Sequence, residues 1–494
     1  MSASDSRSPA EPGGVPPAET SPESSPGTSP ARPSADSAAS PEFGPDPRPV
    51  PRLRGPFDFD VRVPGSKSIT NRLYVLAALA RGRSRIRRPL RSADCDGLLA
   101  AMATCGIGVA WDGPDVLIDG GDGRLPGGGS VNLGHGGTPA RFMIAAACLA
   151  EGPVTVDGSL RMRERPVAEG VDMLRELGAT IDWAGDDGRL PVTATSAGLE
   201  GGRLRVGRTA SSQFVSAVML VAPWTRRGVT LELGPDATSP SYVELTRRML
   251  AERGLVGDGL AIPAAEGGLP GFDVAVEPDA SSAIYWYTAA AMTPGARAVV
   301  RGAATTSVQP DARLLAALAA AGATVRDLTL DGEPAVEVVG PAGGLSAMQL
   351  DASDAPDGAL AIAAACATAP VGATSRLTGL ETLRVKECDR LAALETELGR
   401  CGVAVRTGPD WIEIDGVGVG IGVGIRAGDG DRSGDGPAAA SPAIIETYDD
   451  HRVAMALALL GLQRGGMSVV DPACVAKSYP EFWVELQRLV DAVD

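Results

Sequence analysis

The chain has 494 residues, 44% hydrophobic and 21% charged, enough apolar material for two or more cores. Its net charge of −16 argues against nucleic acid or an anionic membrane as partner, so any anion site must be a local pocket set against the global field. Seven cysteines without a CxxC pair argue against a disulfide framework and a zinc knuckle; with neither a basic leader nor an apolar run of about 18 residues, a soluble, cytoplasmic protein is expected.

Residues 1–50 are almost entirely Ser, Pro, Ala, Gly, Asp and Glu, too poor in apolar side chains to offset ordering entropy, and a disordered tail is expected there. The stretch 63–80, VPGSKSITNRLYVLAALA, then packs a glycine, two hydroxyls, a lysine and an arginine into the entry of an apolar helix. Gly65 permits a tight turn, and Ser66 and Ser68 can cap free N–H groups. The positive end of the helix then faces whatever Lys67 and Arg72 hold, an anion-binding arrangement. Ser66 separates Gly65 from Lys67, so this is not a Walker A loop.

Six segments share this plan of polar cap, apolar helix, glycine and short β-rich run; the later ones begin GTPARF, SSQFVS, SSAIYW, PDGALA and DDHRVA. Between them lies a second kind of helix ending at Gly106, Gly178, Gly254, Gly322 and Gly402, spaced about 70 to 80 residues apart as C′ positions of a long repeat. The unit is strand, helix, strand, helix, strand, strand. The expected fold class is α/β (α+β), with two domains of three βαβαββ units each: residues 66–278, and 51–65 joined by 279–494. Two chain crossings make a hinge and place a cleft between the domains, where small-molecule sites tend to occur. The Gly- and Ala-rich stretch 416–443 reads as a flexible insert.

Only three lysines occur, Lys67, Lys386 and Lys477, and only two histidines, His135 and His451. Where arginine fills nearly every surface cation, a lysine marks a need for a compact, tunable charge. Thr138 and Pro139 form an N-cap and N1 pair after a HisGlyGly turn whose N–H groups are open to an anion. Arg161, Arg163 and Arg165 alternate, so on an extended segment they point one way. Ser211, Ser212 and Gln213 crowd one helix entry, and Ser239 and Tyr242 stand at the next. Asp357 sits at the fifth entry, where it could equally be a plain helix cap. The densest cluster is LRVKECDRL, in which Lys386 and Arg390 share a helical face and Glu387 lies three residues before Arg390. His451 and Arg452 open the sixth entry, and Lys477 precedes a capping box from Ser478 to Glu481. Together these describe a pocket for more than one anionic group.

The ordered set PGSKSITNR, GGTPAR, RMRERP, SSQF, DASSA, PDGA, RVKECDRL, DDHR and AKSYP resembles the 5-enolpyruvylshikimate-3-phosphate synthase family, over almost everything from about residue 52 onward. The resemblance implies the enolpyruvyl transferase architecture, an inside-out barrel of two domains closing over shikimate 3-phosphate and phosphoenolpyruvate, with no metal or organic cofactor and a monomeric chain. By motif match, Lys67, Ser68, Arg72, Ser211, Ser212, Gln213, Ser239, Asp357 and Lys386 would bind shikimate 3-phosphate. Phosphoenolpyruvate would be held by Lys67, Gly137, Arg161, Gln213, Arg390, Arg452 and Lys477. Asp357 would be the general base, Glu387 the acid, and Lys67 would oppose charge build-up between the substrates. A carboxyl acid working near neutral pH implies a Glu387 pKa raised by burial.

Two departures stand out: Thr382 where the family often has asparagine, and HGGTPARFM around Gly137, with His135, Pro139 and Phe142 in place of commoner residues. The alternatives are the sister enzyme acting on UDP-N-acetylglucosamine, whose usual reactive-cysteine loop is not evident, and a non-enzymatic anion-binding protein of the same fold.

Overall fold

The computed structural model describes residues 43–196, 198–235, 238–418 and 442–493. Residues 1–42 of the expected tail and 419–441 of the expected insert lie outside the described residues. The placed ends of both segments correct the expectations. Arg48–Val50 is a strand, antiparallel to Met467–Val469. Polar composition hid it because a three-residue edge strand needs only one inward side chain: Val50 is buried on Gly461, where a Cβ would come within 2.7 Å of its Cγ1. At the insert, Gly416 is packed against the Ala369 carbonyl and Ala443 opens the strand Ala443–Ile445. Removing residues 1–42 is therefore expected to leave the thermal unfolding midpoint where it is. Removing 1–50 also strips the strand and exposes what Val50 covers, about 1.5–3 kcal/mol for such a side chain, so calorimetry showing equal midpoints would contradict this account.

Six sheets follow the repeat. Four contain four strands in one order, illustrated by Gly129–Asn132, Val154–Asp157, Val192–Ala194 and Ile181–Trp183, with the first pair parallel and the others antiparallel. The third and sixth units are shortened to three strands, and Arg48–Val50 completes the sixth. The first unit of each domain takes its opening strand from a distance: Asp58–Val61 pairs parallel to Arg297–Arg301, and Asp273–Ala275 parallel to Arg81–Arg87.

Buried apolar side chains fall into two clusters, one spanning Ile69 to Val276 and the other combining Val50–Val63 with Ala283–Leu489. The clusters part at the two chain crossings, between Val63 and Ile69 and between Val276 and Ala283, and Val50 belongs with the second. The two crossings are bonded to each other: Ser66 N–H donates to the Glu277 carbonyl and Asp279 N–H to the Pro64 carbonyl, both at 2.9 Å. Gly65 lies so close to Arg88 that a Cβ would sit 2.5 Å from its carbonyl oxygen, so only glycine fits this passage.

Each core surrounds three helices: Lys67–Leu79, Gly137–Ala147 and Gln213–Val221 in the first, Ala280–Met292, Ala359–Cys366 and His451–Arg464 in the second. They are apolar nearly all round and buried almost throughout, packing on one another with the sheets outside. The second kind of helix, such as Arg390–Arg400, buries a single face. The predicted end glycines adopt φ of +91° at Gly106, +99° at Gly178, +69° at Gly254, +109° at Gly322 and +81° at Gly402, the left-handed backbone a C′ residue needs.

Candidate active site

An axial helix leaves its first N–H groups unsatisfied and carries partial positive charge at its start. The inside-out plan aims these starts from both domains at one place: Lys67, Gly137, Gln213, Asp357 and His451, at or beside five of the six helix starts, line one cavity. The remaining helix sends its N-cap, Asp279, to accept the Lys67 N–H at 3.2 Å. Ser66 caps the first helix through the Ile69 N–H at 3.4 Å, which leaves the Lys67 ammonium inside the cavity, 3.3 Å from Asp94 Oδ2.

Three guanidiniums in this cavity are buried with no ion-pair partner among the described residues. Arg72 donates from Nε to Thr246 Oγ1 (2.8 Å), from Nη1 to the Ser68 carbonyl (2.9 Å) and from Nη2 to Ser216 Oγ (3.0 Å), and lies over the Phe142 ring. Arg141 donates to Gln213 Oε1 (2.6 Å) and the Pro166 carbonyl (3.1 Å) above the Phe214 ring. Arg165 stands beside it, 6% exposed, its Nε unpartnered. Burial pulls Arg72 down to about 10. Burial, then the charge of Arg165, holds Arg141 well below the usual arginine range. A buried cation without a counter-charge is costly, so this trio is a standing demand for an anion.

On the facing side carboxylates answer the cations. Arg390, 1% exposed, reaches Asp450 from Nε (2.7 Å), Asp357 from Nη1 (3.0 Å) and Glu387 from Nη2 (3.0 Å). With a second Nη2 bond to Asp450 at 3.1 Å, this leaves a single Nη1 hydrogen for any guest. Asp357 also faces Lys386 and Arg452, each at 3.4 Å. Burial pushes its pKa up, but Arg452, Lys386 and Arg390 outweigh that and keep it well below the usual carboxyl range. Glu387 is buried as expected, yet its pKa moves the other way. Desolvation raises it, while Lys477 at 2.8 Å, Arg390 and Arg165 lower it by more, so it stays well below the ordinary glutamate value. The expected rise considered burial alone and omitted these three nearby cations. His451 is buried with neither ring nitrogen hydrogen-bonded, and desolvation followed by Lys67 and Arg452 keeps it neutral.

The domains touch around the cavity. Ser241 Oγ donates to the Asp354 carbonyl (2.6 Å), Tyr242 Oη to Asp357 (3.4 Å), Lys477 Nζ to the His135 carbonyl (3.2 Å), and His135 Nδ1 lies 3.2 Å from Asp449. Thus all three scarce lysines converge, Lys67 and Lys386 in the lining and Lys477 on Glu387. Ser68, Arg72, Gly137, Ser211, Ser212, Gln213, Ser239, Asp357, Arg390 and Arg452 line it with them. Ser212 is an N-cap whose hydroxyl makes no capping bond, consistent with three polar side chains exceeding what the helix needs. Thr382 lines the cavity too, its hydroxyl buried without a partner.

Arg161, like Lys477, stands outside that lining. Residues Leu160–Glu164 form a short helix capped by Ser159, not the extended segment that alternation assumed, so the three arginines diverge. Arg161 turns to the carbonyl of Glu387 at 2.9 Å, Arg163 pairs with Asp157, and Arg165, the first extended residue after the helix, faces the cavity. Arg165, singled out in the sequence only as one of three alternating arginines, and Arg141, not singled out at all, are thus both cavity residues. Arg141 was within reach, one helical turn after Gly137; nothing in the sequence distinguishes Asp94 from an ordinary first-turn acid.

A Cβ at Gly137 would lie 2.7 Å from Arg165 Nη1 and 2.9 Å from Arg141 Nη1. Gly137→Ala must therefore displace the unpaired guanidiniums. It is expected to raise the KM of the anion they hold by about 10-fold, one pocket group's worth, with a normal thermal midpoint; an unchanged KM would count against this geometry.

A family model described as EPSP synthase (3-phosphoshikimate 1-carboxyvinyltransferase) matches residues 52–486. The 3-phosphoshikimate 1-carboxyvinyltransferase of Syntrophobacter fumaroxidans is 39% identical over 437 residues, covering 86% of this chain and 96% of the relative. That of Methanoculleus marisnigri is 36% identical over 438 residues, covering 87% and 97%. The solved EPSP synthase of Acinetobacter baumannii superposes with a TM-score of 0.70 at 26% identity, over 89% of this chain and 97% of that one. Carried by a family match from residue 52 to residue 486 and by relatives well above 30% identity, the chain belongs to the EPSP synthase family.

Proposed function

We propose that the protein moves the enolpyruvyl group of phosphoenolpyruvate to the 5-hydroxyl of shikimate 3-phosphate with release of phosphate, the step that leads toward chorismate and aromatic amino acids. The observation that carries this reading is the trio of buried, unpaired guanidiniums facing a carboxylate-rich wall. One side demands anions and the other supplies proton carriers. Asp357, kept ionised by Arg452, Lys386 and Arg390, suits a base that takes the 5-hydroxyl proton as the oxygen attacks C2 of phosphoenolpyruvate. Glu387 suits the group that protonates the methylene. Loss of phosphate, with removal of a methyl proton, then restores the double bond in the enolpyruvyl ether. Glu387 can be loaded with a proton once the substrates' anionic groups engage Lys477, Arg390 and Arg165, because burial then dominates its pKa.

Lys67, Ser68, Arg72, Ser211, Ser212, Gln213, Ser239, Asp357 and Lys386 are assigned to shikimate 3-phosphate. Lys67, Gly137, Arg161, Gln213, Arg390, Arg452 and Lys477 are assigned to phosphoenolpyruvate, with the buried Arg165 beside them. The seven unpaired cysteines support a cytoplasmic setting; no described helix is long and apolar enough to cross a membrane. Phosphate release from phosphoenolpyruvate, measured with shikimate 3-phosphate and separately with UDP-N-acetylglucosamine, tests the reading. Turnover is expected with the first acceptor alone; turnover with the second, or with neither, would overturn it.

A further inference from the structure

We infer that Arg141 is a positioning residue that turns the Gln213 amide so that its NH2 is presented to the cavity as a donor. A glutamine amide is nearly symmetric in shape but not in chemistry, since its oxygen only accepts and its nitrogen only donates. A free amide can offer an anion either edge, and the oxygen edge repels it. A guanidinium carries donors and no acceptor, so it selects one edge. Arg141 Nη1 lies 2.6 Å from Gln213 Oε1, which turns the oxygen toward the arginine and leaves the NH2 as the free edge. Gln213 lines the cavity, and its Nε2 meets no acceptor among the described residues.

The packing of two axial helices makes this contact. Gly137–Ala147 lies against Gln213–Val221, which brings Arg141, one turn into the first, to the opening residue of the second. Arg141 is itself fixed on three sides. Its Nη2 donates to the Pro166 carbonyl at 3.1 Å, its Nε is sealed from solvent without a partner, and the ring of Phe214 lies 4.9 Å from its guanidinium carbon. That ring is backed by Gly170, where a Cβ would come within 2.6 Å of Phe214 Cδ1. Gln213 is held at its main chain as well, its N–H donating to Ser211 Oγ at 3.3 Å. A planar fork that bonds an amide oxygen and a carbonyl at once is a task for arginine, and lysine reproduces only part of it.

The inference rests on the assignment of Gln213 to the substrates, and the experiment keeps the two apart. In the full chain, Arg141→Met is expected to raise the KM for phosphoenolpyruvate about 10- to 100-fold, the range for one hydrogen bond to a charged group. The thermal midpoint should stay at or above the unmodified value, because a buried cation without a counter-charge is removed. Arg141→Lys, which can still only donate, should fall between. Since Arg141 acts through Gln213, Arg141→Met should add little in a Gln213→Leu background; the same fold-change in both backgrounds would make Arg141 an anion ligand in its own right and overturn the proposal. The chain has five glutamines, so selective 15N labelling gives five side-chain NH2 signals, of which Gln213→Leu removes one. That signal should move in Arg141→Met and stay near its place in Arg141→Lys; an unmoved signal in Arg141→Met overturns the proposal. Gln213→Leu alone reports on the substrate assignment: an unchanged KM there would withdraw that assignment, while the NH2 signal still decides whether Arg141 sets the amide.

Discussion

Glu387→Gln is expected to reduce kcat by about 10² to 10⁴-fold, the range for removing a positioned proton carrier, while shikimate 3-phosphate still binds. Glutamine keeps the shape but can accept from only one of Arg390 and Lys477, which contact the two carboxylate oxygens separately, and its NH2 meets the other. What it loses is the exchangeable proton. The pH dependence separates this from a packing effect. An acid must be protonated to act, so kcat, which reports the ternary complex, falls as pH rises through the pKa that Glu387 has there. In the unliganded protein burial is outweighed by Lys477, Arg390 and Arg165, and Glu387 is ionised at neutral pH. The high-pH limb of kcat should vanish in Glu387→Gln. Asp357→Asn should show a loss of similar size with the opposite dependence, removing a limb at low pH where the base is protonated. Full activity in either variant would remove that residue from the chemistry.

Arg390→Met is expected to destabilise the fold by about 3–5 kcal/mol, the cost of breaking a buried charge cluster by taking one partner away. Arg390 is nearly inaccessible and is the shared partner of Asp450, Asp357 and Glu387. Burial disfavours its charge, but Asp450, Glu387 and Asp357 raise its pKa well above the usual value, so the cation is a fixed part of the cluster. Methionine fills similar space and leaves three carboxylates facing each other without it. Urea denaturation should show a lower midpoint with an unchanged slope, and adding Asp450→Asn should recover part of the loss. An unchanged midpoint would mean that the cluster is not coupled through Arg390.

Much of this was legible in the sequence because the repeat is long and its punctuation is chemical. The end glycines need left-handed backbone, and the polar residues at each helix entry are those that cap helices or bind anions. Lysine and histidine rarity singled out Lys67, Lys386, Lys477 and His451, which all come together. What the sequence hid were choices made by short local structure and by summed electrostatics. Alternation in RMRERP suggested an extended segment, whereas a Ser159 cap started a helix and left Arg165 rather than Arg161 facing the cavity. The pKa of Glu387 depends on Lys477, ninety positions away, and on Arg165 from the other domain, so no local pattern could give its sign. Arg48–Val50 was invisible for a similar reason, since its partner lies at the far end of the chain.

That distant pairing sets an order of events during synthesis. The segment 66–278 carries its own opening strand, Asp273–Ala275, and can complete all its sheets while later residues are still being made. Asp58–Val61 must wait for Arg297–Arg301, and Arg48–Val50 for Met467–Val469. At ribosomal rates of about 5–20 residues per second the latter wait is roughly 20 to 80 seconds. Throughout it the nascent chain carries strands whose edges are open to any neighbour. Arg48, Asp58 and Asp60, exposed or half-exposed on those strands, place charge along edges that would otherwise invite association.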